Sequence, residues 1–287
     1  MRSQYRFPDQ MHPASLQERH EFYKREFRTS LIREWFRGWT KPIVFAVVIG
    51  RHTRIFPARY RGDRDRTILI DEYDTLQDLR RYCVEFKPES VYYDRNVYKN
   101  WDEARDNPGK IEQLGKSFGQ QLAFDIDPEN FECPIHGTLQ EKMNRRQGLS
   151  FCRLELQLAQ EQALGLVDEL SNSFGELRIV YSGRGFHVHV LDEDAFFWTA
   201  KRRLKLARSL SHRGYLMDEW VAGGGMRLIR LPHSLNGLVS RVARPLDRSK
   251  VHSFDAVTDP FCLPGFTHRA RSSISFSAYG LTFSSSL

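Results

Sequence analysis

Two aspartates one residue apart, Asp125 and Asp127 in Phe124-Asp-Ile-Asp127, have the types and spacing to do chemistry. On a strand, residues i and i+2 share a face, so both carboxylates would stand together while Phe124 and Ile126 turn into the core. Carboxylates about 6–7 Å apart repel each other unless a cation sits between them. A hard divalent ion such as Mg²⁺ takes one or two carboxylates together with substrate phosphates. Taken alone, the pattern fits equally a solvated strand end running into an acidic loop, Asp-Pro-Glu-Asn130.

A second constellation is Tyr181-Ser-Gly-Arg-Gly-Phe-His-Val-His189. Gly183 and Gly185 permit a sharp turn and close approach to a ligand. Arg184 brings a planar fork suited to phosphate, and His187 and His189 alternate on one face of the following strand. The turn suits polyphosphate binding, or it is a plain hairpin with two solvent-facing histidines. The third constellation runs from Asp218 through Gly223–Gly225 to Arg227-Leu-Ile-Arg-Leu-Pro-His-Ser-Leu-Asn236, adding a carboxylate and a rim of arginines. The fourth, Cys133-Pro-Ile-His136 with Cys152 beyond, has zinc spacing. A closed zinc site wants four ligands, and Glu155, three residues after Cys152, is the fourth on offer; otherwise the cysteines are simply buried.

These residues need elements to hold them. Ser15-Leu-Gln-Glu18 is a capping box, and Tyr23, Phe27, Leu31 and Trp35 follow at helical spacing up to Gly38. Strands are expected at IVFAVVIG, TRIF with RY, and TILI, then a short helix opened by Thr75. LAFDID reads as a strand, about 154–174 as a long helix, LRIVYS and FHVHVL as strands around a tight turn. A basic helix near 197–212 and a strand at MRLIRLP follow. Helices interspersed with strand pairs around short turns define an α+β class with antiparallel or mixed sheets. No linker divides the chain, so residues 1–287 read as one catalytic domain. Residues 128–156 form a small Cys/His insertion, and 270–287 a serine-rich, loose tail.

Composition excludes several classes. With 40% hydrophobic and 28% charged residues, the 287-residue chain is neither disordered nor fibrous. No apolar run approaches the roughly 18–20 residues of a membrane span. The N-terminus lacks the apolar stretch of a secretory signal, and four cysteines make no disulfide scaffold, so a reducing compartment is expected. The formal net charge of +7 is uneven: residues 1–66 carry +8, residues 198–250 carry +9, and the remainder about −10. A basic surface beside an acidic centre suits a phosphate-handling enzyme with bound cations.

The order of these motifs resembles the small catalytic subunit of archaeal and eukaryotic primases, in the archaeo-eukaryotic primase superfamily. The resemblance runs over residues 44–238, and SGRGFHVHV and RLIRLPHSL are its most diagnostic segments. It implies that Asp125, Asp127 and Asp218 hold two Mg²⁺ or Mn²⁺ ions. It also implies that Ser182, Arg184, His187 and Arg230 meet the incoming nucleotide's phosphates. The activity implied is template-directed synthesis of short primers from NTPs or dNTPs on single-stranded DNA. A large primase subunit is the implied partner, in the cytoplasm or, for a eukaryote, the nucleus. A primer-dependent gap-filling polymerase of the same superfamily and a non-catalytic nucleic-acid-binding subunit are the alternatives. The family usually continues S-L-H-G-K-T-G where this chain has Ser234-Leu-Asn236-Gly-Leu238-Val-Ser240, and it has a cysteine at the position of Glu155. Cys133, His136, Cys152 and Glu155 are thus an altered version of the family's zinc set. The chain is also shorter than typical members at its C-terminal end.

Overall fold

The computed structural model describes residues 5–39, 43–98, 117–218 and 226–267. The glycine run 223–225 and the serine-rich segment 270–287 lie outside the described residues.

Two four-stranded sheets organise the chain, and every pairing among the described strands is antiparallel. The first has β1 (Phe45–Val48) between β2 (Thr67–Ile70) and β3 (Ser90–Asp94), with β9 (Leu228–Arg230) at the far edge of β3. In the second, β7 (Leu177–Tyr181) and β8 (Phe186–Val190) lie at the centre. They are flanked by β12 (Arg244–Leu246) and β6 (Leu122–Ile126). Two short ribbons complete the set, β4 (Asn96–Tyr98) with β5 (Ser117–Gln120) and β10 (Leu235–Asn236) with β11 (Arg241–Val242). This is the expected α+β architecture.

Each sheet has its own helical cover. Over the first lie α1 (Leu16–Arg25), α2 (Thr29–Trp35) and α3 (Leu76–Phe86), burying Phe22, Tyr23, Ile32, Leu79 and Cys83 with the strand side chains. Ser15 and Glu18 form the expected capping box on α1, and Thr75 with Asp78 forms another on α3. Beside the second sheet lie α4 (Leu139–Asn144), the 18-residue α5 (Arg153–Leu170), α6 (Glu193–Phe196) and α7 (Ala200–His212). Along α5, Leu156, Ala159, Ala163, Val167 and Leu170 recur at helical spacing and enter the core. The two alanines keep that helix close to the sheet.

Two expectations are corrected. The helix anticipated from Ser15 to Gly38 is two helices broken at residues 26–28. The break shifts the buried stripe to Ile32 and Phe36, leaving Leu31 and Trp35 half-buried. The segment TRIF with RY forms no strand, and residues 58–63 instead make a 3₁₀ turn. Among the described residues, no helix is long and apolar enough to cross a membrane, and all four cysteines are free.

Candidate active site

Antiparallel pairing of β6 and β8 sets Asp125 opposite His187 in register. Phe124 and Ile126 enter the core as alternation requires, while the Asp125 side chain keeps partial access to solvent. His187 Nε2 lies 3.2 Å from Asp125 Oδ1. Asp125 Oδ1 and His187 Nδ1 are both buried polar atoms without a hydrogen bond among the described residues. The strand's histidines do not face solvent, since every residue of β8 is buried. His189 packs edge-on against Trp35, and burial beside His187 holds its pKa well below the ordinary histidine value.

The glycine turn between β7 and β8 is shaped by two close approaches. Gly183 has φ +91°, and a Cβ there would sit 2.5 Å from Asn236 Cβ. At Gly185 a Cβ would come 2.4 Å from the Ile126 carbonyl oxygen, so the turn rides directly on the end of β6. The Ser182 hydroxyl accepts the Gly185 N–H at 3.0 Å and closes the turn. Asn236, standing where the family's histidine is expected, donates weakly to the Ser182 carbonyl at 3.4 Å and supports the turn from below.

Arg184 projects from this turn onto the acidic edge. Its Nη2 is 2.9 Å from Asp127 Oδ1, and its Nη1 pairs with Glu129 Oε1. Burial opposes the Arg184 charge, but Asp127 and Glu129 outweigh it and raise its pKa. The two aspartates split. Burial pushes Asp125 up, yet His187, Arg184 and Arg230 hold it below the usual carboxylate range. Asp127 is pushed well above that range by burial and by repulsion from Asp125 and Glu129, despite Arg184. The exposed Asp218 passes along the edge of β6, its backbone N–H donating to the Asp125 carbonyl at 3.3 Å. Arg230, on β9 of the first sheet, lies over the Tyr92 ring at 4.7 Å and leaves Nη1 buried without a hydrogen bond among the described residues. Its charge bears on both Asp125 and Asp127, so the site lies between the two sheets.

The structure therefore brings together the side chains of Asp125, Asp127, Arg184, His187 and Arg230, with Ser182 in the turn beneath and the backbone of Asp218 alongside β6. Glu129 was missed, although D-x-D-x-E extends the same alternation into the following turn. Its second oxygen, Oε2, is also buried without a hydrogen bond among the described residues. Hard oxygen donors with such orphaned atoms fit an oxygen-seeking divalent cation.

The other metal set also assembles. Ligand atoms of Cys133, His136, Cys152 and Glu155 all lie within 4.8 Å of one another. The two sulfurs are 3.7 Å apart. A tetrahedral site with Zn–S bonds of about 2.3 Å has an S–S edge of about 3.8 Å, so the pair fits zinc. His136 Nδ1 is 2.8 Å from Glu155 Oε2, and Glu155 Oε1 pairs with the buried Lys142.

No protein-family model matches the chain. It is 44% identical over 256 residues to a DNA primase small subunit-like protein of Archaeoglobus fulgidus, covering 88% of this chain and 90% of that one. Identity is 29% over 218 residues to the DNA primase small subunit of Pyrobaculum calidifontis, covering 61% of this chain and 65% of the relative. For the subunit of Pyrococcus furiosus it is 27% over 203 residues, covering 70% and 50%. A polymerase domain from Mycobacterium tuberculosis ligase D in complex with DNA matches at 15% identity and TM-score 0.46, over 93% of this chain and 96% of that one. With mixed helices and antiparallel sheets and this first relative, the chain has the fold of the archaeo-eukaryotic primases. It belongs to the DNA primase small subunit family. The match spans nine-tenths of the Archaeoglobus protein but less than two thirds of the Pyrobaculum and Pyrococcus subunits.

Proposed function

We propose that this protein is a nucleotidyltransferase that makes or extends short primers from nucleoside triphosphates on a single-stranded DNA template. The observation that carries the reading is the convergence of Asp125 and Asp127 with Arg184, His187 and Arg230 between the two sheets, with the backbone of Asp218 against β6. Acceptors for cations and donors for phosphate meet there, which is what transfer of a charged phosphoryl group requires.

Asp125, Asp127 and Asp218 would hold Mg²⁺ or Mn²⁺, which when bound activates the attacking 3′-oxygen and offsets charge on the leaving pyrophosphate. His187 is fixed by its strand and by Asp125, so its ring offers a rigid contact to the triphosphate. Arg184 presents a fork anchored on one side by Glu129. Arg230, held over the Tyr92 ring, adds a cation from the opposite sheet. Ser182 keeps the turn closed, so its backbone and Arg184 stay in register with β6.

Cys133, His136, Cys152 and Glu155 would hold a structural zinc. The exposed face of α7, with Lys201, Arg202, Lys205 and Arg208, would follow template backbone, giving affinity that falls with salt. A large primase subunit is the partner this family reading implies.

The test is incorporation of labelled NTPs and dNTPs on single-stranded template, with and without primer, in Mg²⁺ and in Mn²⁺. Product without primer establishes a primase. Product only from a primer moves the assignment to a gap-filling polymerase. Salt-sensitive DNA binding with no product under any condition supports a non-catalytic subunit.

A further inference from the structure

A buried ammonium is costly unless each of its N–H groups finds an acceptor. Lys142, on α4, is 1% exposed. Its Nζ lies 3.0 Å from the Glu129 carbonyl oxygen and 3.4 Å from that of Phe131, and it pairs with Glu155 Oε1. All three donors are used, and their acceptors belong to two different places.

One place is the Cys/His cluster. Glu155 Oε2 accepts the Cys152 N–H at 2.7 Å and lies beside His136 Nδ1, while Lys142 takes the other oxygen. Glu155 therefore offers a single oxygen to the cluster. Two thiolates, one carboxylate and a neutral imidazole around a divalent ion leave one negative charge, which the ammonium of Lys142 balances.

The other place is the active-site edge. The carbonyls that Lys142 holds are those of the turn directly after Asp127. From that turn the Glu129 side chain grips Arg184, which also meets Asp127. An unbroken chain of polar contacts thus runs from the cluster through Glu155, Lys142 and Glu129 to Arg184.

We propose that Lys142 is a positioning residue that couples metal occupancy of the Cys/His cluster to nucleotide affinity at Arg184. This rests on the reading of Arg184 as a triphosphate contact. Without the metal, Glu155 loses its tie to the two sulfurs and is held only by the Cys152 N–H, His136 and Lys142, so the Glu155–Lys142 pair and the turn that aims Glu129 at Arg184 are less firmly fixed. By linkage, nucleotide tightens zinc by the same factor that zinc tightens nucleotide.

The experiment measures ATP affinity by calorimetry in excess Mg²⁺, before and after a zinc-selective chelator, for the unmodified chain, K142M and R184A. Zinc removal should weaken ATP binding to the unmodified chain about tenfold, within the usual range of coupling between sites. Zinc-loaded K142M should bind ATP as weakly as the stripped protein and no longer respond to the chelator. With Co²⁺ in place of zinc, K142M should lose tetrahedral d–d absorption as Glu155 turns to offer both oxygens. An ATP affinity indifferent to zinc in the unmodified chain overturns the proposal, as does a zinc dependence that survives in K142M, or a chain that takes up no zinc. If K142M does not fold, the chelator arm on the unmodified chain decides alone. R184A binding ATP as tightly as the unmodified chain, or an unmodified chain that binds no ATP, overturns the reading of Arg184 and the coupling with it.

Discussion

Asp125 and His187 face each other across the β6–β8 ladder, with Nε2 and Oδ1 3.2 Å apart and a buried, unbonded nitrogen on the far side of the ring. Such a histidine is held by its strand and by its close approach to Asp125, and its Nδ1 has no hydrogen bond among the described residues. His187→Ala should raise the KM for nucleotide and lower kcat, with a combined loss of about 10–100-fold in kcat/KM, because the contact exists in ground and transition states alike. Steady-state kinetics with varied nucleotide checks this. Unchanged values in both parameters would place the phosphate contact elsewhere.

The carboxylate edge predicts a thermal signature. Asp127 is held above its usual pKa by burial and by Asp125 and Glu129, a repulsion that a divalent cation relieves. At a Mn²⁺ concentration of about 100 Kd the folded state should gain about 2.7 kcal/mol, a rise of roughly 5 °C in Tm. Asp125→Asn with Asp127→Asn should abolish that rise. A metal shift of equal size in the double variant would put the cation at another site.

Gly185 predicts a steric failure. A methyl group there meets the Ile126 carbonyl at 2.4 Å, against backbone that cannot move without displacing Asp125. Gly185→Ala should destabilise the chain by about 2–4 kcal/mol and cost activity even where it folds. Denaturant titration measures the first part. A stability within about 0.5 kcal/mol of the unmodified chain, the scatter of neutral surface changes, would mean that the turn has slack.

His233 predicts a pH dependence. Burial and the neighbouring Arg244, whose Nη1 lies 3.2 Å from His233 Nδ1, lower its pKa from the ordinary 6.5 to about 4. Between these values the unfolded chain takes up a proton that the folded chain refuses, so stability is full above the unfolded pKa and falls as pH drops toward 4. The loss should be about 1–2 kcal/mol after allowing for partial exposure of the ring. Asn suits the left-handed backbone here, with φ 65°. His233→Asn should flatten this part of the stability–pH curve, and an unchanged slope would assign it to other groups.

What was legible in the sequence was what local periodicity controls. Alternation along β6 and β8 put Asp125 and His187 on their strands, and short spacing joined Cys133 to His136 and Cys152 to Glu155. Contacts between distant segments were not legible. Lys142 lies in Gln-Glu-Lys-Met-Asn-Arg-Arg146, which reads as a solvated helix face, and only the packing of α4 against the Pro128–Asn130 turn buries it. Glu129 looked like part of a loop until Arg184, 55 residues away, gave it a partner. The apolar spacing of Tyr23, Phe27, Leu31 and Trp35 hid the break between α1 and α2, because a helix broken by three residues keeps most of the same pattern.

The measurement that bears most directly on the account is nucleotide incorporation by the Asp125→Asn, Asp127→Asn double variant beside the unmodified chain, with single-stranded DNA affinity measured on the same samples. The account predicts incorporation reduced to background, with DNA affinity and its salt dependence little changed. Incorporation equal to that of the unmodified chain would contradict it, since the acidic edge of β6 would then not be where the chemistry occurs.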